Sequence, residues 1–238
     1  MLKAVLFDLD GTLLDLDGDA FLEDYTDKLS HALSRWIDPE SFKSALWSAA
    51  VGALATPHPS RSNRAVLMHH LATALATTPE FLWAHIDHFN RTQAATVLPG
   101  GQARPGAREV VQLARQRGLK VALATTPIYD LPVVQERLRR AGLDQIPWDV
   151  VASDSFLSTK PYAPYYREIA GRLGLDPPEC LMVGDDAFND LAAQQVGMLT
   201  FYVGPPMGGL DVGLSGNLMD LAEWLATQTI TSPLSDGR

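Results

Sequence analysis

Groups able to do chemistry stand at a few places in this 238-residue chain, each just after an apolar run. Asp8 and Asp10 flank a leucine in Asp8-Leu9-Asp10-Gly11-Thr12, directly beyond the run Lys3–Phe7. Thr125-Thr126 follows the run Leu119–Ala124, and Lys160 follows Trp148–Ala152 after an irregular link. The run Cys180–Val183 ends in Gly184-Asp185-Asp186, with Asp190 five residues beyond Asp185. Carboxylates brought that close repel and raise one another's pKa. A cation must therefore sit among them, and an all-oxygen donor set suits Mg2+ far better than zinc. Taken singly, an aspartate after a strand is an ordinary helix N-cap and a lysine an ordinary surface residue. The agreement of four separate chain positions points to a shared site.

The elements that must position these groups follow from periodicity. Continuous apolar runs at Lys3–Phe7, Leu119–Ala124, Trp148–Ala152, Cys180–Val183 and Leu199–Val203 read as strands buried on both faces of a parallel sheet. Helical patterns fall between them, at Arg104–Arg117, Pro132–Ala141, around Tyr166–Leu173, at Asn189–Val196 and at Asn217–Ala226. This alternation predicts right-handed βαβ units and a three-layer α/β sandwich. In such a sheet ligands bind beyond the carboxyl ends of the strands, where every group named above stands.

One stretch breaks the alternation. Four helical segments, Ala20–Trp36, Pro39–Ala55, Asn63–Thr77 and Pro79–Ala95, fill the region after the first strand, separated by proline-containing breaks. All 6 histidines and Trp36, Trp47 and Trp83 lie there. The chain thus divides into a discontinuous core, 1–16 and 96–238, and an all-helical unit over 17–95. The three tryptophans are expected in the core of the helical unit. Arg64 and the loop Thr56–Arg61 are candidates for reading an anionic substrate, against the plainer reading of a solvated face. The stretch Gly208–Gly216 reads as a loop without a dinucleotide fingerprint, and the tail from Thr231 as frayed.

Composition narrows the classes. The chain is 46% hydrophobic and 20% charged, as in a globular protein, and its net charge of −9 makes nucleic acid and anionic membrane poor partners. The longest apolar stretch, Ala49–Ala55, is far too short to span a bilayer. The single cysteine, Cys180, begins a buried strand, so it reads as a small core hydrophobe, and a reducing cytoplasmic setting is expected.

The motifs Asp8-Leu-Asp-Gly-Thr-Leu13, Thr125, Lys160-Pro161 and Gly184-Asp-Asp-Ala-Phe-Asn-Asp190 resemble the four motifs of the haloacid dehalogenase superfamily. The resemblance covers nearly all of 1–16 and 98–226 and is to the phosphatase branch with a helical cap after the first motif, as in phosphoglycolate phosphatases. It implies a Rossmann-like α/β/α core with an inserted all-helical cap domain. It further implies a Mg2+-dependent phosphatase acting on a small phosphate ester, with Asp8 as nucleophile and Asp10 as general acid and base. Asp8, Asp185, the Asp10 carbonyl and Asp190 (or else Asp186) would hold the metal, and Thr125, Thr126 and Lys160 the phosphate. Gly11 would turn the backbone so that its N–H groups face the anion. A sugar-phosphate mutase uses the same core residues, and a non-catalytic phospho-ligand-binding or partner-binding module could keep the same fold. The intact set Asp8, Asp10, Lys160 and Asp185 favours turnover at phosphorus.

Overall fold

The structure, a computed structural model, describes residues 1–54, 58–207 and 212–228. Thr56 and Pro57 of the candidate substrate loop, Gly208 and Gly209, and the expected frayed tail lie outside them. Six parallel strands form one sheet in the order β5-β4-β1-β6-β7-β8. They are β1 (Ala4–Phe7), β4 (Lys120–Leu123), β5 (Val150–Val151), β6 (Cys180–Gly184), β7 (Leu199–Tyr202) and β8 (Leu214–Ser215). A two-stranded antiparallel ribbon, β2 (Leu14–Asp15) and β3 (Gln102–Ala103), stands apart from it.

Period-two burial builds the layers. Val5 and Phe7 of β1, Val121 and Leu123 of β4, and Leu181 and Val183 of β6 pack into one apolar cluster. It is shared with α5 (Ala107–Gln116), α6 (Leu131–Arg140) and α8 (Leu218–Thr227). The alternate residues Ala4, Leu6, Ala122, Cys180 and Met182 pack into a second cluster, with α7 (Ala163–Arg172) and the 3-10 segment Leu191–Val196. The result is the α/β/α sandwich, its strands apolar on both faces because both are covered. Strand order runs outward from β1 in both directions, so the topological switch point lies at its carboxyl end.

Four consecutive helices, α1 (Gly18–Ala32), α2 (Pro39–Leu54), α3 (Asn63–Ala74) and α4 (Pro79–Gln93), lie between β2 and β3. Their starts are fixed by local chemistry. Asp17, Ser62 and Thr78 each accept backbone N–H bonds as N-caps, and Pro79 opens α4 where a missing N–H costs nothing. The insert is also tied to the core. The backbone N–H groups of His58, Asn63 and Arg64 donate to the carbonyls of Leu157, Phe156 and Asp154 at 3.1, 2.7 and 2.9 Å.

Three expectations need correction. Trp36 and Trp47 are 51% and 66% exposed, so they do not form the core of the helical unit, which is built instead around Phe21, Tyr25, Phe42, Leu71, Leu82 and Phe89. Asn189–Val196 is not an α-helix but a turn followed by 3-10 geometry, because Asp186 draws the N–H groups of Phe188 and Asn189 onto its own carboxylate. The stretch read as a loop after Gly208 contains β8, which pairs with β7.

Phe7 is fully buried, with its ring edge-to-face on Trp148 at a centroid separation of 6.4 Å. Phe7→Ala should cost about 3–5 kcal/mol of unfolding free energy, read from the urea midpoint.

Candidate active site

Period two also aims the first carboxylate. Asp8 follows β1 and continues its ladder, its N–H donating to the Val183 carbonyl at 2.9 Å. Having the parity of Ala4 and Leu6, it points to the side of the sheet where α7 packs. There its Oδ1 accepts a bond from Lys160 Nζ at 2.7 Å, and the same ammonium donates to Asp190 Oδ1 at 2.6 Å. Tyr165 and Tyr166 of α7 wall this lysine, and the Tyr165 hydroxyl donates to the Thr125 carbonyl at 2.9 Å. Thr125 itself is buried, and Thr126 beside it is half-buried.

Asp8, Asp185 and Asp190 bring ligand oxygens within 4.8 Å of one another, the one such cluster among the described residues. Two glycines permit this approach. A Cβ on Gly11, which has φ +80°, would overlap the Asp185 carboxylate, and one on Gly184 would overlap that of Asp190. Thr12 donates to Asp185 Oδ1 at 2.7 Å, and the Asp186 N–H donates to Asp190 Oδ2 at 3.0 Å. The Asp186 side chain is spent on capping its own turn. Of the two candidates, it is therefore Asp190 that faces Asp8 and Asp185.

Electrostatics matches this crowding. Burial is the main cause that pushes the Asp190 carboxyl upward, against the pull of Lys160. Burial likewise raises Asp185, with Asp8 repulsion adding to it and Thr12 opposing. Burial lowers the Lys160 pKa, yet Asp190 and Asp8 together carry it well above the ordinary lysine value. The site thus holds one buried ammonium for three carboxylates. An oxygen-only donor set with surplus negative charge fits a hard divalent cation.

Asp10 behaves differently. Its carboxylate lies outside the cluster and accepts a bond from Arg137 on α6. That guanidinium is 2% exposed and stacks over the Tyr129 ring at 4.7 Å. Burial raises the Asp10 pKa, and Arg137 is the chief opposing influence. Arg137 was not foreseen, although it interrupts the apolar stripe Val133, Val134, Leu138 of α6. Two of the loop N–H groups that follow Asp8 are engaged within the turn itself. Those of Gly11 and Thr12 donate to the Leu14 and Leu9 carbonyls within the turn. Arg64 is not a free anion fork, although 38% of its side chain is exposed. It pairs bidentately with Asp154 at 2.7 Å and lies 4.0 Å over Trp83.

With that geometry in place, comparison with known proteins is informative. The haloacid dehalogenase-like hydrolase family matches residues 2–197, and the chain belongs to it. Phosphoglycolate phosphatase of Rhodospirillum rubrum is 27% identical over 236 residues, covering 94% of this chain and 91% of its own. Glyceraldehyde 3-phosphate phosphatase of Pyrococcus abyssi is 28% identical over 207 residues, covering 85% and 81%. The chain is an enzyme of the phosphatase branch of this family. Among solved structures, CbbY from Rhodobacter sphaeroides in complex with phosphate superposes with a TM-score of 0.59 at 22% identity, covering 93% of this chain and 96% of that one. A phosphatase from Thermococcus onnurineus gives 0.58 at 22%, covering 96% and 100%. At that identity the superpositions establish the fold.

The raised Asp185 pKa has a consequence with a definite sign. A carboxyl raised in the native state adds stability below its unfolded value and loses it as pH rises through the native one. In metal-free protein, Asp185→Asn should therefore be more stable than wild type at pH 8. Urea midpoints should converge as pH falls towards 4, within the ordinary carboxyl range.

Proposed function

We propose that the protein is a Mg2+-dependent phosphatase that hydrolyses a small phosphorylated metabolite through an aspartyl-phosphate on Asp8. The observation that carries this reading is Asp8 itself. Its carboxylate stands at the switch point, 2.7 Å from a buried ammonium and within 4.8 Å of Asp185 and Asp190. In this reading Asp8 attacks phosphorus in line, forming a P–O bond to its carboxylate while the ester P–O bond breaks and the alcohol leaves. Asp8, Asp185, the Asp10 carbonyl and Asp190 would hold the cation, Asp190 oriented by Lys160 and the Asp186 N–H. Bound there, Mg2+ would neutralise charge on the transferring phosphoryl group.

The remaining roles fall to side chains of the chain itself. Lys160 and the hydroxyls of Thr125 and Thr126 would bind phosphoryl oxygens. Asp10 would give a proton to the departing alkoxide and later take one from the water that cleaves the aspartyl-phosphate. Its carboxylate faces Arg137, so this role requires a side-chain rotation toward the leaving oxygen. The helical unit over 17–95 would act as a cap that excludes water, and the names of the relatives support a small organic phosphate ester as substrate. The single cysteine and the net charge support a cytoplasmic setting. No helix among the described residues is long and apolar enough to cross a membrane.

Asp8→Asn should lower kcat for phosphate release at least 1,000-fold, on the order of what loss of a nucleophile costs, in protein shown to be folded by circular dichroism at the assay temperature. More than a few per cent of residual activity would remove Asp8 from the nucleophile role. Folded wild-type protein that turns over no monoester with Mg2+ supplied would instead be a binding module. Conversion of a sugar 1-phosphate to its 6-phosphate with little phosphate release would indicate a mutase.

Binding of Mg2+ should itself be visible. At tenfold its Kd the ion adds about 1.4 kcal/mol, or about 3–6 °C in Tm. The shift should be larger at pH 8 than at pH 5, where the Asp190 carboxyl, pushed up to about 7 by burial, holds a proton that the metal must displace.

A further inference from the structure

A cavity of about 960 Å³ lies between the helical insert and the core. That is near the upper end of the range for small-molecule sites, about 300–1,000 Å³. Its walls are apolar, with Leu46, Leu67, Met68, Trp83 and Ile86 from the insert and Ile128 from the core. None of the clustered carboxylates lines it, so it is a compartment adjoining the site rather than the site itself.

Chain continuity links the two. Ile128, Tyr129 and Asp130 of the lining directly follow Thr125-Thr126-Pro127. On the opposite side Asp19 lines the cavity, and its neighbour Gly18 lies against Asp10, where a Cβ would stand 3.8 Å from the Asp10 Cβ. Asn63, also in the lining, donates to the carbonyls of Pro127 and Ser158 at 3.1 and 3.0 Å, bridging the loops that lead from Thr126 and towards Lys160.

The polar groups of the cavity are largely spent on one another. Arg64 is forked onto Asp154, the Tyr25 hydroxyl donates to Asn90 at 2.8 Å, and Lys43 pairs with Asp27 at 2.7 Å. The Tyr129 hydroxyl and Asp130 Oδ2 alone are buried without a partner among the lining atoms described. Five acidic side chains line the cavity against two basic ones, Lys43 and Arg64, both already paired. Apart from Tyr129 and Asp130, the polar side chains still open to a ligand, Asp19, Glu23 and Thr26, stand on α1 alone, and a second anionic group would meet net negative charge.

We propose that this cavity receives the organic part of the phosphate ester, and that this part is uncharged and hydrophobic, an alkyl or aryl group rather than a sugar or a carboxylate. The inference rests on the phosphatase reading above and specifies its substrate class. The binding energy of an apolar tail would be drawn from Trp83, Leu67 and Ile86, and the phosphoryl group would be left to Asp8, Thr125 and Lys160. The unpartnered Tyr129 hydroxyl and Asp130 oxygen leave room for one hydrogen-bonding group near the inner end of such a tail.

The test is a series of linear alkyl phosphates from ethyl to octyl, whose leaving groups are chemically equivalent, with 2-phosphoglycolate and glycerol phosphate alongside. Burial of each methylene should raise kcat/KM about two- to fourfold until the cavity is filled. In parallel, 1-hexanol should saturably change the fluorescence of Trp47 and Trp83, which line the cavity, and should inhibit competitively. A flat series would overturn the assignment while leaving the phosphatase reading intact. So would 2-phosphoglycolate outperforming hexyl phosphate tenfold, or hexanol producing no saturable change. Saturable hexanol binding with no turnover of any monoester would overturn the phosphatase reading, and the leaving-group assignment with it.

Discussion

One ammonium held between two buried carboxylates organises this molecule. Lys160 reaches Asp8 at the end of β1 and Asp190 beyond β6, at 2.7 and 2.6 Å, with 5% of its own surface exposed. Burial of such a charge is tolerable only with its partners in place. Three separate chain segments must therefore arrive together. The acidic cluster is the other half of this constraint, because three carboxylates against one lysine leave negative charge in excess. Excess negative charge of this kind is what the proposed cation would offset.

The sheet converts sequence parity into that geometry. Alternation along β1 sends Val5 and Phe7 into one apolar layer and Ala4, Leu6 and then Asp8 toward the other. Asp8 thus meets Lys160 and Asp190, while Asp10, beyond the strand and in a turn, meets Arg137 on α6 instead. Two glycines finish the arrangement by leaving space where Asp185 and Asp190 lie against the backbone. The two aspartates of one short motif thereby occupy different electrostatic settings, one beside a lysine in an acidic cluster, the other beside an arginine among aromatic rings.

Much of this was legible in the amino-acid sequence. Strands β1, β4, β6 and β7 were readable because burial on both faces demands largely apolar runs, and the two half-buried residues of β5 because they lie in the longer run Trp148–Ala152. The residues that follow these runs stand at one edge of one sheet. The ribbon Leu14–Asp15 with Gln102–Ala103, and the edge strand Leu214–Ser215, were not. Two residues carry no period of their own, and long-range pairing alone defines them. Cys180 is fully buried as its apolar setting suggested, its thiol pushed up to about 12. The fate of Arg64 and Arg137 could not be read, because an arginine on a helix looks the same whether it meets solvent, a carboxylate or an aromatic ring. The exposure of Trp36 and Trp47 likewise depends on how the helices of the insert pack.

The three backbone bonds from residues 58–64 to the carbonyls of 154–157 join the insert to the segment that runs on to Lys160. Asn63 strengthens the seam by gripping the carbonyls of Pro127 and Ser158. The beginning of α3 and the lysine loop therefore move as one piece. Lifting the start of α3 away from the core would have to break these bonds, so at this edge the insert and the segment that leads to Lys160 cannot shift independently.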